Sequence, residues 1–221
     1  LEQALRLVEC LEPEERLSHV VVMGMGEPLA NLDALLPALD WMASPRGFGI
    51  SARRITVSTV GLPGAIRRLA RHSRPYRLAV SLHAADDTLR ARIVPVSRST
   101  EIASLLEAVD DYFRATGRRL TFEYVLLGSI NDRPLDARRL ARLLAGRTAL
   151  VNLIPYNPVP GLPYRTPAPT AVRRFREILE EAGIEVRVRK RKGARIDAAC
   201  GQLRRRSRDG REILSTGGGV E

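Results

Sequence analysis

RITVSTVGLPGAIRRLA, residues 54–70, decides the fold class. Residues 54–58 form a short β-branched run that reads as a strand. The polar, glycine-containing STVG (58–61) follows at its end, and a helical pattern opens near residue 63. Strand, loaded strand end and helix together make one βα unit, and the rest of the chain repeats the cadence.

Further strands are predicted at HVVVM (19–23), RLAVSL (77–82), LTFEYVLL (120–127), LVNLIP (150–155) and EVRVR (185–189). Between them Ile102, Leu105, Leu106, Val109 and Phe113 keep a helical period, as do Val172, Phe175, Ile178 and Leu179. Weaker helical patterns lie near 32–43, 63–72 and 134–145. Runs such as VVVM and LAV read as apolar on both faces, the expectation for parallel strands covered on each side. Repeated βα units close into a barrel or stack as an open doubly wound sheet. Polar residues follow nearly every strand, in GMGEP, STVG, SLHA, GSIND, PYNP and KRKG. An open sheet concentrates its ligand contacts at one switch point, whereas a barrel turns every strand's C-terminal end toward one mouth. The expectation is an α/β fold, a partial, open TIM-like barrel of about six parallel βα units. It should fill residues 1–203 and leave a basic, disordered tail at 204–221.

Composition agrees with a globular chain. Of 221 residues, 44% are hydrophobic and 28% charged. No run of about 18 apolar residues is present, so a membrane partner is not expected. The start LEQALRLVEC lacks the charge and apolar run of a signal peptide, and it begins mid-helix without Met. That start predicts a fragment or an unusual start codon. Two distant cysteines, Cys10 and Cys200, fit a reducing cytoplasm, with Cys10 read as a packing residue. Eleven Lys or Arg against two Asp fall in residues 187–211, which hold most of the net charge of +11. Such a patch attracts polyanions, nucleic acid above all, although a solvated tail has the same composition.

Several strand ends carry ligand-binding chemistry. In MGMGEP (23–28), Gly24 and Gly26 permit close backbone approach and Glu27 adds a carboxylate. The spacing is not GxGxxG, so the dinucleotide fingerprint does not apply. Ser58, Ser81 and His83 stand at the next two strand ends, where each alone also fits a cap or a satisfied polar group. Asn157, between Pro155 and Pro158, is a stiffly held amide that fits an Asx turn equally well.

Taken together, MGMGEPLANL, GFGISARRITVSTVG, AVSLHAADDTLRARIVPV, EYVLL, IND, NLIPYNPVPGLPY and VRKRKGARIDAACGQL resemble, in order and spacing, the RlmN-type radical S-adenosylmethionine RNA methyltransferases. The resemblance spans roughly residues 18–203. It implies methylation of carbon 2 of adenine in 23S rRNA, and in tRNA, by a monomeric enzyme; the relatives that methylate carbon 8 are the nearest alternative. It also implies that Gly26, Glu27, Ser58, Ser81, Leu82, His83 and Asn157 bind S-adenosylmethionine. Cys200 would carry the methyl group as S-methylcysteine, and Arg189, Lys190, Arg191, Lys192 and Arg195 would contact RNA phosphates. One departure stands out. The family's [4Fe–4S] cluster needs a CxxxCxxC loop, and this sequence has none. The chain therefore reads as the C-terminal portion of such an enzyme, expected to be inactive and cluster-free alone. A non-catalytic RNA-binding remnant is the alternative reading.

Overall fold

The computed structural model describes residues 1–24, 26–159 and 161–189. Its elements run α1 (Glu2–Val8), β1 (Val20–Val22), α2 (Leu32–Ala43), β2 (Ile55–Thr59), α3 (Pro63–Ala70), β3 (Arg77–Ser81), α4 (Asp87–Ile93), α5 (Ile102–Thr116), β4 (Leu120–Leu126), α6 (Pro134–Leu144), β5 (Ala149–Pro155), α7 (Pro169–Glu181) and β6 (Glu185–Val188). The six strands are the six anticipated, with ends that coincide or shift by one residue.

Local chemistry sets the boundaries. Proline at the first turn starts α3, α6 and α7, where its missing N–H costs nothing. Gly117 closes α5 in the left-handed conformation, φ +62°. The α5 face buries Ile102, Leu105, Leu106 and Val109 as its period requires, but ends on Tyr112, with Phe113 only packed at the margin. Helix α4 is absent from the hydrophobic pattern because the residue it buries is Arg90. Its start is set by Asp86, whose Oδ1 accepts from the Leu89 N–H at 2.8 Å.

All strands are parallel and pair in chain order, β1 to β6. Crossovers between parallel strands are right-handed as a rule, and in one unbroken order they put the connecting helices on the same face, which is the winding of a barrel rather than of a doubly wound sheet. The fold is thus an α/β partial barrel, open between β1 and β6. Val57, Val80, Phe122, Tyr124, Val151 and Leu153 fill the helix-covered face and are fully buried. Tyr124 meets Phe175 of α7 with ring centroids 5.2 Å apart.

The opposite, lumen face is not the second apolar surface that VVVM and LAV suggested. Parallel register carries partners to one side of the sheet. One row therefore holds Ser58, Ala79, Thr121 and Leu150, and the next holds Ser81, Glu123, Asn152 and Arg187. Val21 of β1 is exposed on this side. A helix covers only one face here, so alternation returns, and the lumen row is polar. Among the described residues no helix is long and apolar enough to cross a membrane.

Candidate functional site: the mouth of the partial barrel

The site is built at the C-terminal strand ends. After β1 the chain turns through Gly26 at φ +93°, a conformation reserved for glycine, with open space where a side chain would stand. Glu27 then spends its carboxylate on its own chain. Oε1 accepts from the Leu29 N–H at 3.0 Å and from the Thr59 hydroxyl at 2.7 Å, and Oε2 accepts from the Val60 N–H at 2.8 Å. Thr59 Oγ1 in turn accepts from the Gly61 N–H at 2.9 Å. A carboxylate offers about four acceptor positions, so one remains. Glu27 thus ties the end of β1 to the end of β2 and fixes the Gly26 loop above them.

The carbonyl of the same residue, Val60, is held by Arg90, which donates to it and to the carbonyl of Thr100 at 3.3 Å. Arg90 is almost fully buried, its Nε has no partner among the described residues, and desolvation lowers its pKa. One residue, Val60, is therefore clamped at its N–H by a carboxylate and at its C=O by a guanidinium, so the peptides on both sides of it are fixed.

Past β3 the chain passes through His83 in the left-handed region, φ +61°, a strained conformation for a histidine. Asn131 holds it there. This fully buried amide donates to the carbonyls of His83 and Val125, both at 2.8 Å, and accepts from the Leu127 N–H at 2.7 Å. The Val125 N–H donates to His83 Nδ1 at 3.2 Å. Nδ1 is therefore the acceptor, and the ring proton of neutral His83 sits on Nε2. Burial, aided by the Arg90 charge, pushes the imidazole pKa down to about 4, so the ring stays neutral near pH 7. Leu82 lies in the core and can offer a ligand only its main chain.

Ser58 is buried on β2 and Ser81 half-buried at the end of β3. Both stand on the lumen face, and neither hydroxyl bonds to another described residue. Asn157 is half-buried just beyond β5. The structure thus brings the ends of β1, β2, β3 and β5 that bear the predicted residues to one mouth. Arg189 follows β6, its N–H donating to the Leu153 carbonyl at 2.9 Å. Cys200, Lys190, Arg191, Lys192 and Arg195 lie outside the described residues.

Cys10 corrects the sequence reading. It is exposed in the turn after α1 rather than packed. Among the described residues no group of three or more His, Cys, Asp or Glu is placed to hold a metal ion. These residues therefore do not fit the ligand set of an iron–sulfur cluster. Sequence reasoning also missed Arg90, Asn131, Glu123 and Asn152. The available signal was a polar residue inside an otherwise apolar strand run, as with Glu123 in LTFEYVLL.

No protein-family model matches the chain. It is 62% identical over 205 residues to a probable dual-specificity RNA methyltransferase RlmN of Rhodopirellula baltica, covering 93% of this chain and 55% of that protein. A probable RlmN of Desulforudis audaxviator is 52% identical over 194 residues, covering 88% and 61%. The chain spans little more than half the length of the curated relatives it matches. The crystal structure of a radical SAM methyltransferase from Sphaerobacter thermophilus superposes with a TM-score of 0.84 at 45% identity, over 91% of this chain and 58% of that one. Over the stretch it shares with these proteins, the chain is similar to RNA methyltransferases named RlmN and to a radical SAM methyltransferase.

Proposed function

We propose that this chain supplies the S-adenosylmethionine-binding barrel and the methyl-carrying cysteine of an RNA methyltransferase that modifies carbon 2 of adenine in 23S rRNA and tRNA. One observation carries the cofactor part. Ser58 and Ser81, on neighbouring strands, present hydroxyls without a described partner to a mouth held in shape by Glu27, Arg90 and Asn131. Hydroxyls set on a fixed mouth with no partner among the described residues are available to complete their bonding with a ligand.

The residues fit a ligand that combines polar and cationic groups with hydroxyls. The Gly26 main chain lets an amino-acid end approach closely, and the remaining acceptor position of Glu27 takes an ammonium N–H. His83 Nε2–H and the two serines offer donors toward carboxylate and ribose oxygens, and Asn157 an amide beside the last loop. When bound, S-adenosylmethionine supplies the methyl group that ends on the RNA. On this reading Cys200 holds that methyl group in transit. The basic run from Arg189 through Arg195 contacts phosphates, which position RNA without reading its sequence.

The relatives' names support an RNA substrate, and the residues of the mouth support the cofactor. Two measurements test the reading. Calorimetric titration of the chain with S-adenosylmethionine should give saturable binding, weakened about tenfold by Ser58→Ala combined with Ser81→Ala, if each hydroxyl contributes about 0.7 kcal/mol. Grafting residues 18–203 into the matching stretch of the Rhodopirellula baltica relative should preserve 2-methyladenine formation, and Cys200→Ala in that graft should abolish it. Undiminished product from the alanine graft, read by mass spectrometry of digested RNA, refutes the role of Cys200.

A further inference from the structure

Glu123 stands in the middle of β4, 7% exposed, between Phe122 and Tyr124, which enter the core on the other face. Burial holds its carboxyl above the ordinary glutamate range, opposed by the Asn152 hydrogen bond and the Arg189 charge. Asn152 Nδ2 donates to Oε1 at 2.9 Å. Among the described residues nothing donates to Oε2. Arg189 acts on the carboxylate through space without forming an ion pair, and Arg187, next along the same row, reaches Glu185 instead at 3.5 Å. The register sets Ser81 directly across from Glu123 on one side and Asn152 on the other.

A carboxylate kept in this position for structure alone would be costly. Glutamine of the same shape would accept the Asn152 bond without the desolvation of a charge, and buried ionic groups are often replaced at no loss of stability. The lumen row keeps a carboxyl group, aims one oxygen with an amide and, among the described residues, leaves the other without a donor. That arrangement answers a positive charge, since hydroxyls or amides alone would satisfy a neutral ligand.

We propose that Glu123 is the counter-charge for a cationic centre held in the lumen, with Asn152 as the residue that positions it. Resting on the function proposed above, the cation is the sulfonium of S-adenosylmethionine. A sulfonium has no N–H or O–H to donate, so only a field can recognise it, and a low-dielectric lumen strengthens that field. The contact also sets a direction. Once the methyl group has left, the neutral thioether no longer feels Glu123, and the spent ligand is held less tightly than the fresh one.

The experiment compares S-adenosylmethionine with S-adenosylhomocysteine, its neutral thioether counterpart, by calorimetric titration of the 221-residue chain. Glu123→Gln should weaken S-adenosylmethionine binding about tenfold or more, about 1.4 kcal/mol, and change S-adenosylhomocysteine binding less than about twofold. Equal losses for both compounds, or no loss, overturn the charge assignment while leaving the cofactor reading intact. A wild-type chain that binds neither compound overturns both. Thermal unfolding without ligand supplies a readout independent of binding. Glu123→Gln should unfold at or above the wild-type temperature near pH 7. A lower midpoint, or a variant that does not fold, makes Glu123 a structural group and overturns the proposal.

Discussion

Replacing Glu27 with alanine tests whether the mouth is built by the chain's own hydrogen bonds. The side chain accepts from two main-chain N–H groups, Leu29 and Val60, and from the Thr59 hydroxyl. Hydrogen bonds to a charged group contribute about 1.5–3 kcal/mol each when buried. Glu27 is half-buried, and water can replace part of what is lost, so about 1 kcal/mol per bond and about 3 kcal/mol in all is the expected cost. For a chain of this size that lowers the unfolding midpoint by about 6–12 °C. Glu27→Gln should fall between. Its carbonyl oxygen can still serve Leu29 and Thr59, but the amide nitrogen then faces the Val60 N–H donor to donor. Thr59→Val removes one of the same bonds, so the double variant with Glu27→Ala should lose less than the two single losses combined, by about 1 kcal/mol. Urea unfolding of the wild-type chain and the four variants gives these numbers directly. A Glu27→Ala loss within about 0.5 kcal/mol, the range of an unanchored surface residue, refutes the reasoning. The carboxylate would then be free for ligand alone.

The remaining predictions concern the strand ends and the lumen. Asn131→Ala removes the partner of three main-chain groups from a fully buried position and should cost about 3 kcal/mol or more in urea unfolding, where a cost under 1 kcal/mol would show that the His83 loop does not depend on it. Nitrogen-15 NMR of His83 should show a neutral ring protonated at Nε2 from pH 8 down to about 5, and a midpoint near 6.5 would contradict its burial. As pH falls through 6.5 the unfolded chain takes up this proton before the folded chain does. The His83 contribution to stability should therefore be lost between that pH and about 4, and His83→Asn, which tolerates the left-handed turn and keeps an acceptor for Val125, should flatten that part of the profile. Glu123 runs the other way. With its folded pKa raised, its contribution is present at low pH and lost as pH rises through that value, so the thermal advantage of Glu123→Gln should widen from acid toward pH 7.

Much of the architecture was legible because hydrophobic period survives without tertiary information. All six strands and the order of βα units follow from it. Helix α4 escaped because its buried position is Arg90, a residue that a hydrophobic pattern counts as surface. Cys10 was misread for the converse reason. Its residue type favours burial, but the turn after α1 leaves it in solvent. The predicted ligand residues were found from their place at strand ends, which chain order reveals. Their supports, Arg90 and Asn131, act through contacts thirty and forty-eight residues away, and no local signal announces those distances.

The two faces of the sheet obey different selection pressures, and apolar runs such as VVVM and LAV do not report that difference. On the helix side every position from Val57 to Leu153 gains by excluding water, so residue type follows burial. On the lumen side Ser58 and Glu123 are buried and Ser81 and Asn152 half-buried, yet each carries a polar group that burial penalises. Stability alone would fill these positions with valine, as the strand period invites. A chain that keeps side by side two hydroxyls and a carboxylate oxygen with no partner among the described residues accepts a less stable ligand-free state. Such a cost persists where a bound molecule recovers it, since a ligand that favours the folded state stabilises it by mass action. Ligand should then raise the unfolding midpoint of the wild-type chain more than that of Glu123→Gln, because the variant has already shed the penalty that binding relieves.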